Sequence, residues 1–542
     1  MNPPIPPDED LPPVPFQLKP QVRVPGGGMS ISDSAEALFK IIAPKLKLFD
    51  RGGVVVEVKQ EGELASLKIL DAVAMQSRFE KYAQFMKPKK IKDGGFQMEP
   101  TVISEATARQ YMASEACANN LPKISGLLRC PLLVQRDGRP HLVQNGYDAA
   151  TGFFVQTSKR VEPCSFEEAK NFLEGVLQDY DFATPSDKSR ALASMITPTL
   201  KLGGWINGPV PIDIAEANAS QAGKSYRQKL NAAMHNQQMA VVTKLNGGVG
   251  SLEETLQKHL IEGCPFIQID NVRGKLDSQF LEALLTADGP VPARIPFQPP
   301  VNIDPSKHMI CVSSNGFEAT KDLANRSSII RIHKRENYQF KQQDGMDMLA
   351  FCFKFHPVLL GAIFAVVEAW AAAGKPRTNE TRHDFREWAQ VSDWIVQNLL
   401  GQAPLLDGHT EIKARATNVD LTFVRQLANQ VEAEMKLGQA LSASELTTIC
   451  QNTGLDIPRV DRNNQGDKEG GPAMIGRIMG IQFGEGKQVV CDDYQITREE
   501  LSRKSSTGNW VSINCYTFQR VVTVLPVPQV QLDAPPAPPG EG

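Results

Sequence analysis

Apolar and polar residues along this chain alternate between two periods, helical in some stretches and strand-like in others, which predicts a mixed α and β protein rather than a bundle or a sandwich. In the first part, "SAEALFKIIAPKL" (34–46) repeats its apolar side chains at helical spacing. "GGVVVEVKQ" (52–60) reads as a strand entered from a Gly-Gly turn, and "DAVAMQSRFEKYAQFMK" (71–87) is amphipathic at helical spacing to its end. "NGYDAATGFFVQ" (145–156) supplies a further turn and strand, so 29–160 reads as an N-terminal α+β domain with a linker near 160. "SFEEAKNFLEGVLQDY" (165–180) opens on a Ser-x-x-Glu capping box and predicts a helix, with "SDKSRALASMITPTL" (186–200) helical after it. "PVLLGAIFAVVEAWAAAG" (357–374) is apolar on all sides, carries Glu368 and is short for a bilayer, so it predicts a buried helix and no membrane span.

Further on, "SASELTTICQNTGLDIP" (442–458) and "PAMIGRIMGIQFG" (472–484) predict two helices. "VVCDDYQITREELSRKSSTGNWVSINCYTF" (489–518) predicts a strand pair after them, an order compatible with a winged helix. Proline- and glycine-rich stretches at 1–28 and 525–542 read as disordered tails. The expected organisation is therefore a tail (1–28), an α+β domain (29–160), a nucleotide-binding core with its preceding helices (161–340), a helical region (341–438), a winged-helix-like domain (439–524) and a second tail (525–542).

The core carries the chemistry. "GPVPIDIAEA" (208–217) is a short apolar strand and "GKSYRQKLNAAMHNQ" (223–237) a helix, and between them lies "NASQAGKS" (218–225). Strand, loop and helix in that order aim backbone N–H groups and a helix N-terminus at one point, where phosphates bind. Asn218 stands where such loops carry their first glycine, and asparagine is the residue that best replaces glycine at left-handed φ and ψ. The loop residues Asn218, Ala219, Ser220, Gln221, Ala222, Gly223, Lys224 and Ser225 are candidates for holding a nucleotide. Downstream by 46 residues from the loop, "GCPFIQIDNVRG" (263–274) is an apolar strand ending in Asp270, and "KHMICVSSNG" (307–316) a strand ending in Asn315. "ATKDLANRSSIIRI" (319–332) follows with Arg326 and Arg331.

This order of parts resembles the AAA+ ATPases of the ASCE P-loop class. More narrowly it is similar to superfamily 3 type helicases and the helicase part of phage and mobile-element primase-helicases, over about 205–335. "LFDRGG" (48–53), "GYDAATGFF" (146–154) and "DFREWAQVSDWI" (384–395) look like segments that accompany such ATPases. The resemblance implies ATP and Mg2+ as ligands, with Lys224 and Ser225 in Walker A roles and Asp270 as the Walker B carboxylate. It makes Ser225 and Asp270 the metal-holding pair, Asn315 the sensor that orients water, and Arg326 a finger reaching the γ-phosphate of a neighbouring subunit in a hexameric ring. Asn271 departs from the pattern: many AAA+ proteins have a glutamate base there, and an amide positions water without accepting its proton, which leaves Glu216, Glu253 or Glu254 as possible bases.

The substrate must be read from the periphery. Between Arg294 and Lys307, "RIPFQPPVNIDPSK" reads as two strand-like pieces about a turn, at the place where superfamily 3 helicases carry a DNA-gripping hairpin. Arg294, Lys307 and His308 are the resulting DNA contacts, with the plain surface loop as the alternative. Lys244, beside the Gly-Gly-x-Gly of 247–250, is a second candidate for a pore-facing loop. His383, Asp384, Arg386 and Glu387 lie close together, but Trp388 and Trp394 place them on an amphipathic helix of a lid rather than in a nuclease. Arg477, Lys487, Arg503 and Lys504 are the basic residues by which a winged helix would hold DNA, opposed by Asp492 and Asp493.

Composition narrows this further. The 58 Lys and Arg against 61 Asp and Glu give a net charge of -3, so no overall basic field exists and any nucleic-acid surface is local. The nine cysteines show no C-x-x-C pair and no His at ligand spacing, which predicts reduced thiols, a cytoplasmic setting and no structural zinc. The N-terminus lacks the basic and apolar runs of a secretory signal. Without paired metal-binding carboxylates or zinc cysteines, a primase is not expected. The reading is an ATP-dependent DNA helicase or translocase of a phage or mobile-element replication type, acting on single-stranded DNA in a central channel. An AAA+ ATPase that remodels a protein partner and a nucleotide-gated scaffold with little hydrolysis are the alternatives.

Overall fold

The structure, a computed structural model, describes residues 19–521 apart from 46, 62–63, 92–93, 219–220, 244–249, 273–274, 295–299, 336, 461–469, 485, 492 and 505–509. The chain divides into two compact units, one up to Lys413 and one from Ala414.

In the first unit, residues up to Leu121 have a core of their own, built from Leu38, Phe39, Met75, Phe79, Phe85 and Tyr111. The helix of 71–87 is shorter than its amphipathic pattern: it spans Ala72–Tyr82, and Gln84–Lys90 is a strand pairing with Gln21–Arg23 and Phe96–Thr101. Pro88 cannot donate within a helix, and Phe85 and Met86 find the core in extended form as well as they would helically. A second sheet joins β1 (Leu48–Arg51), β2 (Val54–Glu61) and β3 (Leu64–Ile69), with Gly52 and Gly53 at φ 58 and 96 in the β1–β2 turn. From Leu128 the packing changes: Leu128, Leu132, Val134, Phe153 and Val155 share a core with Leu202, Phe266 and Met309. Near 160 the chain is no free linker, because the Glu162 N–H donates to the Pro357 carbonyl at 3.1 Å.

The central sheet runs in the order β4 (Asp181–Phe182), β11 (Ser327–His333), β5 (Ile212–Ala217), β10 (Met309–Ser314), β7 (Phe266–Val272) and β6 (Ala240–Thr243). All neighbours are parallel except β4, which pairs antiparallel with β11. The strands are near-continuous apolar runs, as a sheet covered on both faces requires. Helix α1 (Pro185–Leu202), α2 (Lys224–Met234), α3 (Leu252–Glu262), α4 (Gln279–Thr286) and α5 (Lys321–Asn325) connect or cover them. An antiparallel hairpin of β8 (Val291–Ala293) and β9 (Val301–Ile303) precedes β10. Helices α6 (Met348–Lys354), α7 (His356–Ala372) and α8 (Arg386–Trp394) complete the unit. Among the described residues no single helix is long and apolar enough to cross a membrane. The pair α6 and α7 bends by 79° at its break, and α7 buries Leu359, Ile363, Val367 and Trp370 in the core around α1.

The half of β11 that β4 does not reach is satisfied by side chains. His383 Nε2 donates to the Ser327 carbonyl at 3.2 Å, His409 Nε2 accepts from the Ile329 N–H at 3.2 Å, Arg190 Nε donates to the Ile329 carbonyl at 2.8 Å, and Asp187 Oδ1 accepts from the Arg331 N–H at 2.9 Å. His383 therefore has a structural task, and so does Glu387, whose Oε2 takes the N–H groups of Asn207 and Gly208. Burial holds the imidazoles of His235, His308 and His383 down at about 4, and burial also carries that of His409 well below its ordinary value. An unfolded histidine titrates near 6.5. Each folded pKa is depressed, so the unfolded chain binds protons first as pH falls. The stability contribution is whole above about pH 6.5 and is lost between there and about 4, at about 1.4 kcal/mol per group per pH unit. The melting temperature should fall steeply from pH 6.5 to 5, and His409→Gln, which keeps an acceptor for Ile329 and does not titrate, should flatten that slope in a pH series of thermal melts. An unchanged slope in the variant would count against His409 as a contributor.

The second unit contains α9 (Val419–Ala433), β12 (Ala440–Ser442), α10 (Ala443–Thr453), α11 (Gly471–Phe483), β13 (Gln488–Cys491), β14 (Tyr494–Lys504) and β15 (Trp510–Arg520), its antiparallel sheet ordered β12-β15-β14-β13. Its core of Phe423, Leu427, Leu446, Ile475, Ile478 and Phe518 includes α9, so the packing changes near 414 rather than near 438.

Candidate nucleotide site

Residues from three separate stretches of sequence, Lys224 and Ser225, Asp270, and Asn315, meet at the C-terminal ends of three adjacent parallel strands. The loop after β5 enters α2 through Gly223, which has φ 83; a Cβ there would lie 2.7 Å from Phe340 Cζ and 3.0 Å from Tyr180 Cε1. Conformation and space thus both demand glycine. Lys224 opens the helix and its Nζ donates to Asn315 Oδ1 at 2.5 Å. Ser225 Oγ donates to Asp270 Oδ1 at 2.5 Å. Because β10 lies between β5 and β7, Asn315 at its end stands between the loop and the acidic strand.

Ser313 is the residue that the sequence did not single out. Its Oγ donates to Asp270 Oδ1 at 2.6 Å and accepts from the Asn271 N–H at 2.9 Å, with Ser225 Oγ 3.1 Å away. It stands two residues before Asn315, and strand periodicity puts alternate residues on one face, which was the available signal. Beneath the site, Gln228 Nε2 donates to the carbonyls of Asp213 and Val312 at 2.8 and 3.0 Å, while Gln268 Nε2 donates to Gln228 Oε1 at 2.7 Å, locking α2 to the three strands.

The electrostatics follow from this cage. Burial works to raise the Asp270 pKa, but the hydroxyls of Ser225 and Ser313, the charge of Lys229 and the Asn271 amide outweigh it and hold the carboxyl below its usual value. Burial lowers the Lys224 pKa, opposed by the charges of Asp270 and Glu216. Glu216 is fully buried and its Oε1 accepts from the Phe317 N–H at 3.0 Å. The other two carboxylates lie in the first turn of α3: Glu253 accepts from Ser278 Oγ at 2.9 Å and Glu254 from the Gly250 N–H at 2.6 Å.

Asn218 is a correction. It is not among the described residues with positive φ; within the loop, Gln221 (φ 64) and Gly223 take that conformation. The Asn218 side chain works instead as an acceptor for the Lys334 N–H at 2.9 Å, tying the loop to the end of β11. Ala222 is buried and Gln221 exposed, while Ala219 and Ser220 lie outside the described residues. Asn271 has φ 53 and an exposed side chain. Arg326 sits far from this group within its own chain. It precedes Ser327, which pairs with Ile212 at the start of β5, so it stands at the opposite, N-terminal end of the strands, about 20 Å from the loop at 3.3 Å per residue. Its Nη1 lies 3.5 Å from the Glu282 carbonyl.

The peripheral candidates separate. Arg294 is exposed, with its N–H held by Gln257 Oε1 at 2.6 Å. Lys307 is half-buried with Nζ 5.9 Å from the centre of the Phe153 ring, and His308 is buried with Nδ1 2.7 Å from the Cys264 carbonyl, so His308 is not on a surface that nucleic acid touches. Lys244 lies outside the described residues. In the second unit Arg477 and Lys487 are exposed, Arg503 pairs with Glu445 at 2.8 Å, and Asp492 and the Lys504 side chain lie outside the description. One cluster escaped the spacing rules: His259, Glu262 and Cys264 bring ligand atoms within 4.8 Å of one another, because Gly263 at φ 78 turns the chain back on itself. Burial pushes the Cys264 thiol up to about 11, and Arg51, Arg129 and Lys258 surround it with positive charge, an environment that opposes a dication.

No family model and no curated protein matches the chain. Among solved structures it is similar to one described as "SCCmec type IV Cch - active helicase", with a TM-score of 0.30 and 11% identity over 86% of this chain and 90% of that one.

Proposed function

We propose that this chain is a P-loop ATPase of the AAA+ type that uses ATP hydrolysis to move along or unwind DNA as a ring of identical subunits. The observation that carries the reading is the convergence of Lys224, Ser225, Asp270 and Asn315. A cation, a hydroxyl, a carboxylate and an amide at a helix N-terminus are the set that a magnesium-bound triphosphate requires. Counted from the phosphate-loop strand, the parallel strands lie in the order fifth, first, fourth, third, second, which supports an ASCE core. The helix, strand, two helices and hairpin of the second unit support a winged helix.

In this reading Lys224 exchanges its bond to Asn315 for the terminal phosphates, and Asn315 is released to orient the attacking water. Ser225 and Asp270 would hold magnesium, which when bound neutralises phosphate charge. Asp270, held ionised by Ser313, is ready for that role. Glu216, whose charge Lys224 feels, is the carboxylate best placed to accept the water proton in place of Asn271. Arg326, at the far end of the strands, serves the site of a neighbouring subunit.

The direct test is magnesium-dependent phosphate release from ATP by the purified chain, with and without single-stranded DNA. The expected result is turnover that DNA raises. ATP bound but not hydrolysed in either condition would sink the motor and favour a nucleotide-gated scaffold, the second reading that Asn271 supports; turnover indifferent to DNA would favour remodelling of a protein partner.

A further inference from the structure

The "LFDRGG" stretch has no part in the nucleotide site, yet two of its residues, Arg51 and Gly52, make close contacts between the N-terminal module and the core. Arg51, 3% exposed, spends its guanidinium on main-chain carbonyls: Nε on Ile261 at 2.8 Å, Nη2 on Leu260 at 2.6 Å and Nη1 on Ser125. The Leu260 and Ile261 carbonyls belong to the last turn of α3, where helix carbonyls lack partners further along the helix. The fork therefore closes a helix end and a loop at once, a task a lysine cannot copy. Gly52 meets the core at a second point. Its carbonyl accepts from the Asn302 N–H in β9 at 3.0 Å, its φ is 58, and a Cβ would lie 2.0 Å from the Asn302 carbonyl oxygen. The same hairpin is held from its other strand by α3, through Gln257 and the Arg294 N–H.

We propose that the Arg51–Gly52 turn is a brace that fixes the β8–β9 hairpin and the end of α3 to the N-terminal module, making Arg51 and Gly52 positioning residues for the hairpin. The hairpin is thereby tied at both strands, through Asn302 and through the Arg294 N–H, while the Arg294 residue remains exposed. Movement of the N-terminal module is passed to the segment that the motor reading, on which this consequence rests, gives to DNA.

Two mild variants test it in the full chain. Gly52→Ala drives a methyl into the Asn302 backbone, and Arg51→Lys keeps the charge but reaches fewer carbonyls. Hydrogen exchange of the peptides covering 258–264 and 300–304 should speed up by about tenfold or more in both variants. Basal ATP hydrolysis should stay within about twofold of the parent, while stimulation by single-stranded DNA falls about tenfold, at the scale of coupling energies between sites. Unchanged exchange in both peptides overturns the brace. Faster exchange with DNA stimulation intact, or with basal and stimulated rates falling together, overturns the positioning role. If the parent hydrolyses no ATP, the motor reading fails by itself and the exchange measurement still decides the brace.

Discussion

Lys224→Ala should reduce ATP turnover by about 10²-fold to 10³-fold, the effect of removing one preorganised charge from a developing anionic transition state. The side chain is buried against Asn315, and its ammonium already feels Asp270 and Glu216, so no neighbouring cation slides into its place at low cost. Alanine also leaves Asn315 without that donor. The loop conformation should survive, because Gly223 and the Gln228 network fix it independently. Steady-state phosphate release checks this, with thermal melts as the control for folding. Retention of more than about a tenth of parent activity would remove Lys224 from the transition state and with it the main support for the motor.

The second large effect concerns Arg326. If it acts on the γ-phosphate of a neighbour, Arg326→Ala should lower hydrolysis by about 10³-fold while leaving nucleotide affinity nearly unchanged. The placement gives this a sharper form. Lys224 and Arg326 lie at opposite ends of the parallel strands, so a chain carrying either change still offers an intact half to a partner. Mixing the Lys224→Ala and Arg326→Ala proteins should therefore restore a fraction of the activity that neither shows alone. Failure to recover activity, in mixtures shown to co-assemble, would mean that Arg326 does not complete a shared site.

What was legible in the sequence was whatever depends on local order. The strand, loop and helix around Lys224 and the ends of the strands carrying Asp270 and Asn315 are fixed by short apolar runs, and the contacts of these residues follow from strands laid side by side. The Ser165 capping box forms as its spacing predicts. What the sequence withheld depends on contacts across the fold. Ser313 looks like any strand serine until Ser225 and Asp270 are brought to it. Asn218 has the composition of a left-handed residue but is held by Lys334, a partner 116 positions away. His308 reads in the sequence as a surface cation, and its burial beside the strand with Nδ1 on the Cys264 carbonyl shows otherwise. The helix of 71–87 was overextended because Phe85 and Met86 satisfy both periods, and Pro88 was the clue that the second had taken over.

The sealing of β11 by His383, His409, Arg190 and Asp187 has a consequence for how this sheet meets other chains. A bare edge strand invites a foreign strand to dock, extending the sheet without limit. Here the part of that flank which β4 leaves is closed by hydrogen-bonding side chains. At the other flank, β6 is the terminal strand and presents Val241 and Thr243 to solvent. Among the described residues the two flanks are thus unequal, a two-residue strand backed by side chains on one side and the longer β6 on the other, so a chain that grows the sheet, native partner or aggregate, finds its longer template at β6.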